Sequence, residues 1–245
     1  ADPGGLSSAG TAAVYDWDSI NNRWARRLPL SRFDGTKAWA YWGESVALSA
    51  NGAIVAVGAH RSDVAGKTDV GHVEVHEWNN GAWTQLGTDV EGERSNDYGG
   101  KSVALSADGH VFAVGAILND PRHPTLDNSG HVRVHAYDAE NGQWDQRGGD
   151  FDGTNTNGGQ IGMSMALNAD GSVLAIGIPG YSSETGRVRV YAWNNGAWGQ
   201  LGVDGQLDGA ATSSGHGVSM ALSADGATIA IGDPRYDTPQ NSAGC

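Results

Sequence analysis

The chain has a single cysteine, Cys245, and it is the last of 245 residues. No intrachain disulfide can form, so packing must hold the fold, and cysteine usage leaves the redox compartment open. There is no Asn-x-Ser/Thr glycosylation acceptor. No apolar run approaches the roughly 20 residues that a membrane-spanning helix needs, so membrane insertion is not expected. Lys and Arg together number 15 against 28 Asp and Glu, a formal net charge of −13. Nucleic-acid binding rests on cations neutralising phosphates, so that function class is excluded. Neither a Gly-x-Ser-x-Gly elbow nor a phosphate loop with its lysine occurs, which removes two common catalytic frameworks.

What the chain has in plenty is glycine, 38 residues of it, together with 39% hydrophobic residues. That combination suits many short strands and tight turns. The stretch from Ser102 to Gly115 reads as two strands closed by Asp108-Gly109, a turn that needs the positive φ glycine supplies freely. The same hairpin recurs around Asn51-Gly52, Asp170-Gly171 and Asp225-Gly226, the four turn glycines lying 57, 62 and 55 residues apart. A second unit recurs with it. Gly71-His-Val-Glu-Val-His-Glu-Trp78, Asn80-Gly81 and Trp83 are matched by 130–144, by 186–198 and, more loosely, by 10–24. The alternation of Val73 and Val75 with His72, Glu74 and His76 is that of a half-buried strand, and the tryptophans beside the turn are placed for a cross-strand pair.

One repeat is therefore four antiparallel strands graded from small and apolar to polar, as in a propeller blade running from a crowded axis to a wet rim. The expected fold is an all-β, four-bladed β-propeller of four-stranded antiparallel blades, in one domain over 11–245 after a flexible lead-in at 1–10. Blades are expected at about 43–92, 100–153 and 162–209. A fourth, 217–237, would be completed by pairing its inner strands with the outer strands in 11–34, since closure removes two exposed sheet edges. A closed ring predicts a monomer. An open one predicts a disulfide-linked or swapped oligomer through Cys245 and the blade edges, or a piece of a larger propeller.

The hairpin resembles the FG-GAP repeat of integrin α-chain propellers. The "FG" positions are Trp42-Gly43, Gly99-Gly100, Ile161-Gly162 and His216-Gly217. The "GAP" positions are Gly58-Ala59-His60, Gly115-Ala116-Ile117, Gly177-Ile178-Pro179 and Gly232-Asp233-Pro234. The resemblance implies a non-catalytic extracellular or cell-surface module for adhesion, lectin-like in binding a carbohydrate or protein ligand. The alternatives are a structural unit of a larger surface protein or filament, and a glycan-active hydrolase. Integrin-type blades carry Asp-x-Asp-x-Asp-Gly calcium loops. Here these shrink to Ser-Ala-Asp-Gly, and one carboxylate cannot supply the six to eight oxygens that calcium takes, so no cofactor or metal is expected, with calcium the one open alternative.

Short, uniform turns mark scaffold, whereas loops that differ between copies concentrate binding residues. Those loops all emerge on one face of a propeller. The candidate ligand-binding residues there are Trp39, Trp42, Asp63, Tyr98, Asp120, Tyr181, Tyr236 and Asp237, an aromatic platform with carboxylates beside it. No catalytic residue is singled out. Asp150 and Asp152 form a close pair that the other copies are expected to echo as Asp89/Glu91 and Asp204/Gln206. The pairs His72/His76 and His131/His135 lie about 13 Å apart along a strand at roughly 3.3 Å per residue, too far to share one metal, and read as exposed rim positions.

Overall fold

The computed structural model describes residues 7–27, 32–119, 129–153, 159–202 and 206–235. Three complete blades follow one another. The first contains Ser45–Leu48, Ile54–Ala59, His72–Asn79 and Ala82–Gln85; the second Gly99–Leu105, Val111–Ala116, His131–Asp138 and Gln143–Gln146; the third Met165–Leu167, Val173–Ile178, Arg187–Asn194 and Ala197–Gln200. Each is antiparallel in chain order. The outermost strand comes in two pieces, because a short segment also pairs with the third strand: Val90–Glu91, Phe151–Asp152 and Gln206–Asp208.

Register is the same in every blade. Gly58 stands opposite Val73, Gly115 opposite Val132 and Gly177 opposite Val188. The aromatic pairs form as their spacing predicts, with Trp78 opposite Trp83, Tyr137 opposite Trp144 and Trp193 opposite Trp198 at ring distances of 5.4, 5.2 and 5.3 Å. In the Asp-Gly turn, Ser106 Oγ donates to Asp108, whose carboxylate also accepts the His110 N–H. The carboxylates of these loops are thus engaged in shaping their own turns.

The core lies between blades. Every residue of Ile54–Ala59 and of Val111–Ala116 is buried, contributing about 1.5–3 kcal/mol for each large side chain. Neighbouring blades are joined at their innermost strands by serines: Ser45 Oγ donates to Gly100 O at 2.7 Å, and Ser102 and Ser164 donate likewise to Gly162 and Gly217. This close approach explains Gly58, where an added Cβ would meet Gly100 O at 2.1 Å.

Two half-blades flank the arc. The leading one holds Thr11–Ala13 paired with Arg32–Asp34 and Tyr15–Asp18 paired with Arg23–Arg26; the trailing one is the hairpin Ser219–Leu222 and Ile229–Gly232. Among the described residues the hairpin forms a two-stranded sheet by itself, so the expected closing pairing with the leading strands is not made. The physical consequence is exposure. Val103 and Leu105 pack on the blade before them, whereas the equivalent Val46 and Leu48 are 56% and 51% exposed. They line an apolar groove of about 550 Å³ with Thr11, Val14 and Trp24. What the described residues establish is an all-β fold of antiparallel four-stranded groups. No helix among them is long and apolar enough to cross a membrane.

Candidate functional site

The variable loops meet at the end of the arc where innermost strands begin and second strands finish. A turn recurs there four times: Glu44, Lys101, Met163 and Val218 donate their N–H groups to the carbonyls of Tyr41, Tyr98, Gln160 and Gly215. Residues three before such a strand must adopt positive φ, and Tyr41 and Tyr98 do so at 52° and 58°, a conformation that costs non-glycine residues energy and clusters at functional sites.

These two turns hold Tyr41 and Tyr98 on either side of His60, each ring 5.5 Å from the imidazole. His60 follows a buried second strand and is itself only 4% exposed. Its Nδ1 lies 3.1 Å from Glu44 Oε2, while Glu44 Oε1 is paired with Lys101 of the next blade. The Arg61 guanidinium sits 5.3 Å from the centroids of both tyrosines. Burial pushes the His60 pKa down to about 4, against the upward pull of Glu44 and with the help of Lys101 and Arg61. The imidazole is therefore neutral at neutral pH and can accept a proton. The same end carries a depression of about 260 Å³ lined by Gln160, Met163, Pro179, Glu184 and Arg235.

Of the residues expected from sequence, Tyr98 belongs to this cluster. Trp42 is 5% exposed and packs in the core with its ring 6.3 Å from His76, which makes it scaffold. Trp39 is 58% exposed on the same loop as Tyr41. The Asp63 carboxylate accepts the Asp69 N–H and shapes its loop. Tyr181 lies under the Arg187 guanidinium, 3.7 Å from its ring centroid. Asp120, Tyr236 and Asp237 lie outside the described residues. His60 was present in the sequence only as the last letter of a repeat motif; the signal that marks it is that Ile117, Pro179 and Pro234 hold the same position in the other copies.

The third-strand histidines require correction. His72, His131 and His135 are 8%, 3% and 7% exposed, not rim residues, because this face of each blade is covered by the blade before it. His72 and His76 also meet a common partner, with Nε2 atoms 3.2 and 2.9 Å from the two oxygens of Glu74. The acidic pairing shifts by two residues as well: Asp208, not Gln206, is the repeat partner of Asp152, since it stands opposite Arg187 as Asp152 stands opposite His131, and Gln206 takes the place expected of Asp204. Among the described residues, two groups of side chains have the atoms to hold a metal, His72 with Glu74 and Asp89, and Glu93 with His131 and Asp150.

No family model matches the chain, and no curated protein does. Solved structures do. A periplasmic gluconolactonase of Pseudomonas aeruginosa aligns over 94% of this chain at TM-score 0.57 and 18% identity. Candidate 6-phosphogluconolactonases of Bacteroides uniformis and Bacteroides fragilis each align over 80%, at TM-scores 0.51 and 0.50 and identities of 16% and 11%. The chain spans 60% of the length of the first and 48% of each of the others. At these identities the likeness shows a shared propeller-like fold. It overturns the FG-GAP resemblance, because the propellers matched are named for lactonases and none of the three is an integrin chain. The readings built on that resemblance fall with it: the non-catalytic role, the adhesive or lectin-like face, and the glycan or protein ligand. A hairpin with Asp-Gly turns and small inner residues is what any narrow propeller axis demands, so it marks architecture and not ancestry.

Proposed function

We propose that the chain is a hydrolase of small cyclic esters, opening a lactone of the sugar-acid class at the Tyr41–His60–Tyr98 cluster. The observation that carries the reading is a buried, neutral histidine at the axial end, set beside a carboxylate and between two cations. The names of the solved structures that share the fold supply the reaction class. In this reaction the His60 imidazole takes a proton from water as the oxygen adds to the lactone carbonyl. Arg61 and Lys101 offset the charge on the resulting oxyanion. Collapse breaks the ring C–O bond, and the proton on His60 passes to the departing alkoxide, giving the open hydroxy acid. Glu44 steadies the imidazolium in between. Tyr41 and Tyr98 fix the ring and keep bulk water out. A periplasmic protein among those of like fold supports an exported setting. The test is acid release from δ-gluconolactone in a pH-stat, where purified protein should exceed the buffer rate in proportion to its concentration; a rate equal to buffer overturns the reading.

We infer also that the trailing hairpin seats in the groove beside Val46 and Leu48, completing a fourth blade. Extending the register of the full blades sets Ile231 opposite Ala13 and Gly232 opposite Ala12. In a Cys245→Ser background, Ala13→Cys with Ile231→Cys should then oxidise to a monomeric cross-linked species. Reduced monomer or cross-linked dimer alone would refute closure within one chain.

A further inference from the structure

The three blades hold the same positions in different chemical states. In the second blade, Arg133 lies between two carboxylates: Nε and Nη2 are each 3.0 Å from the oxygens of Asp150, and Glu93 pairs with Nη2 from the other side. His131 stands beside them, and the guanidinium is the cation this pocket is built around. The register that aligns Val132 with Val73 makes His72 the counterpart of His131, Glu74 of Arg133 and Asp89 of Asp150. The first blade therefore keeps the histidine and the aspartate but has a second carboxylate where the second blade has its cation.

Such a reversal leaves two carboxylates and a buried imidazole facing one another. The ligand atoms of His72, Glu74 and Asp89 all lie within 4.8 Å of one another. His72 is 8% exposed, and its Nδ1 is buried without a hydrogen-bond partner in the structure. His72 Nε2 lies 3.2 Å from Glu74 Oε1, so the imidazole and the carboxylate already face one another. Gln85 Nε2 donates to Asp89 Oδ1 at 2.5 Å, and His76 Nε2 lies 2.9 Å from Glu74 Oε2. Both contacts are of the kind that orient metal-bound carboxylates from outside the coordination sphere.

We propose that His72, Glu74 and Asp89 bind a divalent transition-metal ion of the Zn²⁺ class, which takes the place that the Arg133 guanidinium fills in the second blade. One imidazole nitrogen and two carboxylate oxygens are a ligand set such ions accept, with a fourth position left for water. Ligand atoms around a tetrahedral ion with bonds near 2.1 Å sit about 3.4 Å apart. Closing the cluster thus needs a small rotation of the exposed Asp89 side chain, which its place before Val90–Glu91 permits. The site lies on the face of the first blade that meets the leading half-blade, with His72 paired opposite Ala59, and it uses none of the side chains of the proposed hydrolase cluster.

The experiment is isothermal titration of the metal-free full chain with Zn²⁺, with Co²⁺ absorption as a second readout. One ion should bind per chain in the micromolar range, raising the melting temperature, and Co²⁺ should give the d–d bands of a tetrahedral site. Glu74→Arg installs the residue of the second blade, should pair with Asp89 as Arg133 pairs with Asp150, and should fold while losing both the binding and the melting shift. His72→Gln gives an independent check with the carboxylates intact, and should lose the Co²⁺ bands. Absence of stoichiometric binding to the wild-type chain, or unchanged binding in a folded Glu74→Arg variant, overturns the proposal.

Discussion

His135 gives a prediction whose size follows from its surroundings. Its ring stacks on Phe112 at 5.2 Å and 20°, it is 7% exposed, and neither ring nitrogen has a hydrogen-bond partner in the structure. Burial pushes its pKa from 6.5 to about 4, reinforced by Arg133 and His131 and opposed by Asp150. The folded pKa is below the unfolded one, so the folded state resists protonation. The associated stability is fully present above pH 6.5 and is lost as pH falls from there toward 4. With pKa values of 6.5 unfolded and about 4 folded, linkage gives a loss of about 2 kcal/mol between pH 7 and pH 5 and about 3 kcal/mol by pH 4. The interval from 7 to 5 lies above the range in which ordinary carboxylates titrate, so it isolates the histidines. His135→Leu removes two buried unpartnered nitrogens at similar volume and should leave stability at pH 7 equal or higher. Urea unfolding at pH 7 and pH 5 should then show the wild-type chain losing about 2 kcal/mol more than the variant. Identical losses in the two proteins would refute the reasoning.

Three further substitutions follow from the packing. Gly58→Ala drives a methyl group to 2.2 Å from Ser45 Oγ as well as onto Gly100 O, and should cost about 3 kcal/mol or more, read as a lower urea midpoint. Arg133→Met leaves Glu93 and Asp150 facing each other without their cation. Both are partly solvated, so a cost of about 2 kcal/mol is expected at pH 7, shrinking on acidification as the carboxylates protonate. Asp108→Ala removes the acceptor for Ser106 Oγ and the His110 N–H, and should cost about 1 kcal/mol without altering any activity at the opposite end of the arc.

The hairpins, the aromatic pairs and the four-strand grouping were legible because each is set by local chemistry: a glycine turn, a period of two, facing tryptophans. The repeat also gave the scaffold a second reading, since four copies in one chain separate what recurs from what varies. The split outer strand was less legible, because Leu86 to Asp89 read as a continuation of one polar strand, and the Asp204 pairing slipped for the same reason. The His60 cluster could not be read from any one segment. Tyr41 and Tyr98 are 57 residues apart and are brought to one imidazole only by the packing of neighbouring blades. The third-strand histidines misled in the other direction. Alternation with valine marks one face as buried against the next blade, and in a propeller the opposite face is buried as well, against the blade before.

The most direct test of the account is the pH profile of lactone hydrolysis by the wild-type chain beside His60→Gln, which keeps a polar side chain between the two tyrosines. The wild type should hold its kcat from neutral pH down to about 5 and lose it through pH 4, where the imidazole at last takes a proton. The variant should lose kcat by about 100-fold or more, as general-base removal typically does, with KM little changed. A variant as active as the wild type would contradict the account.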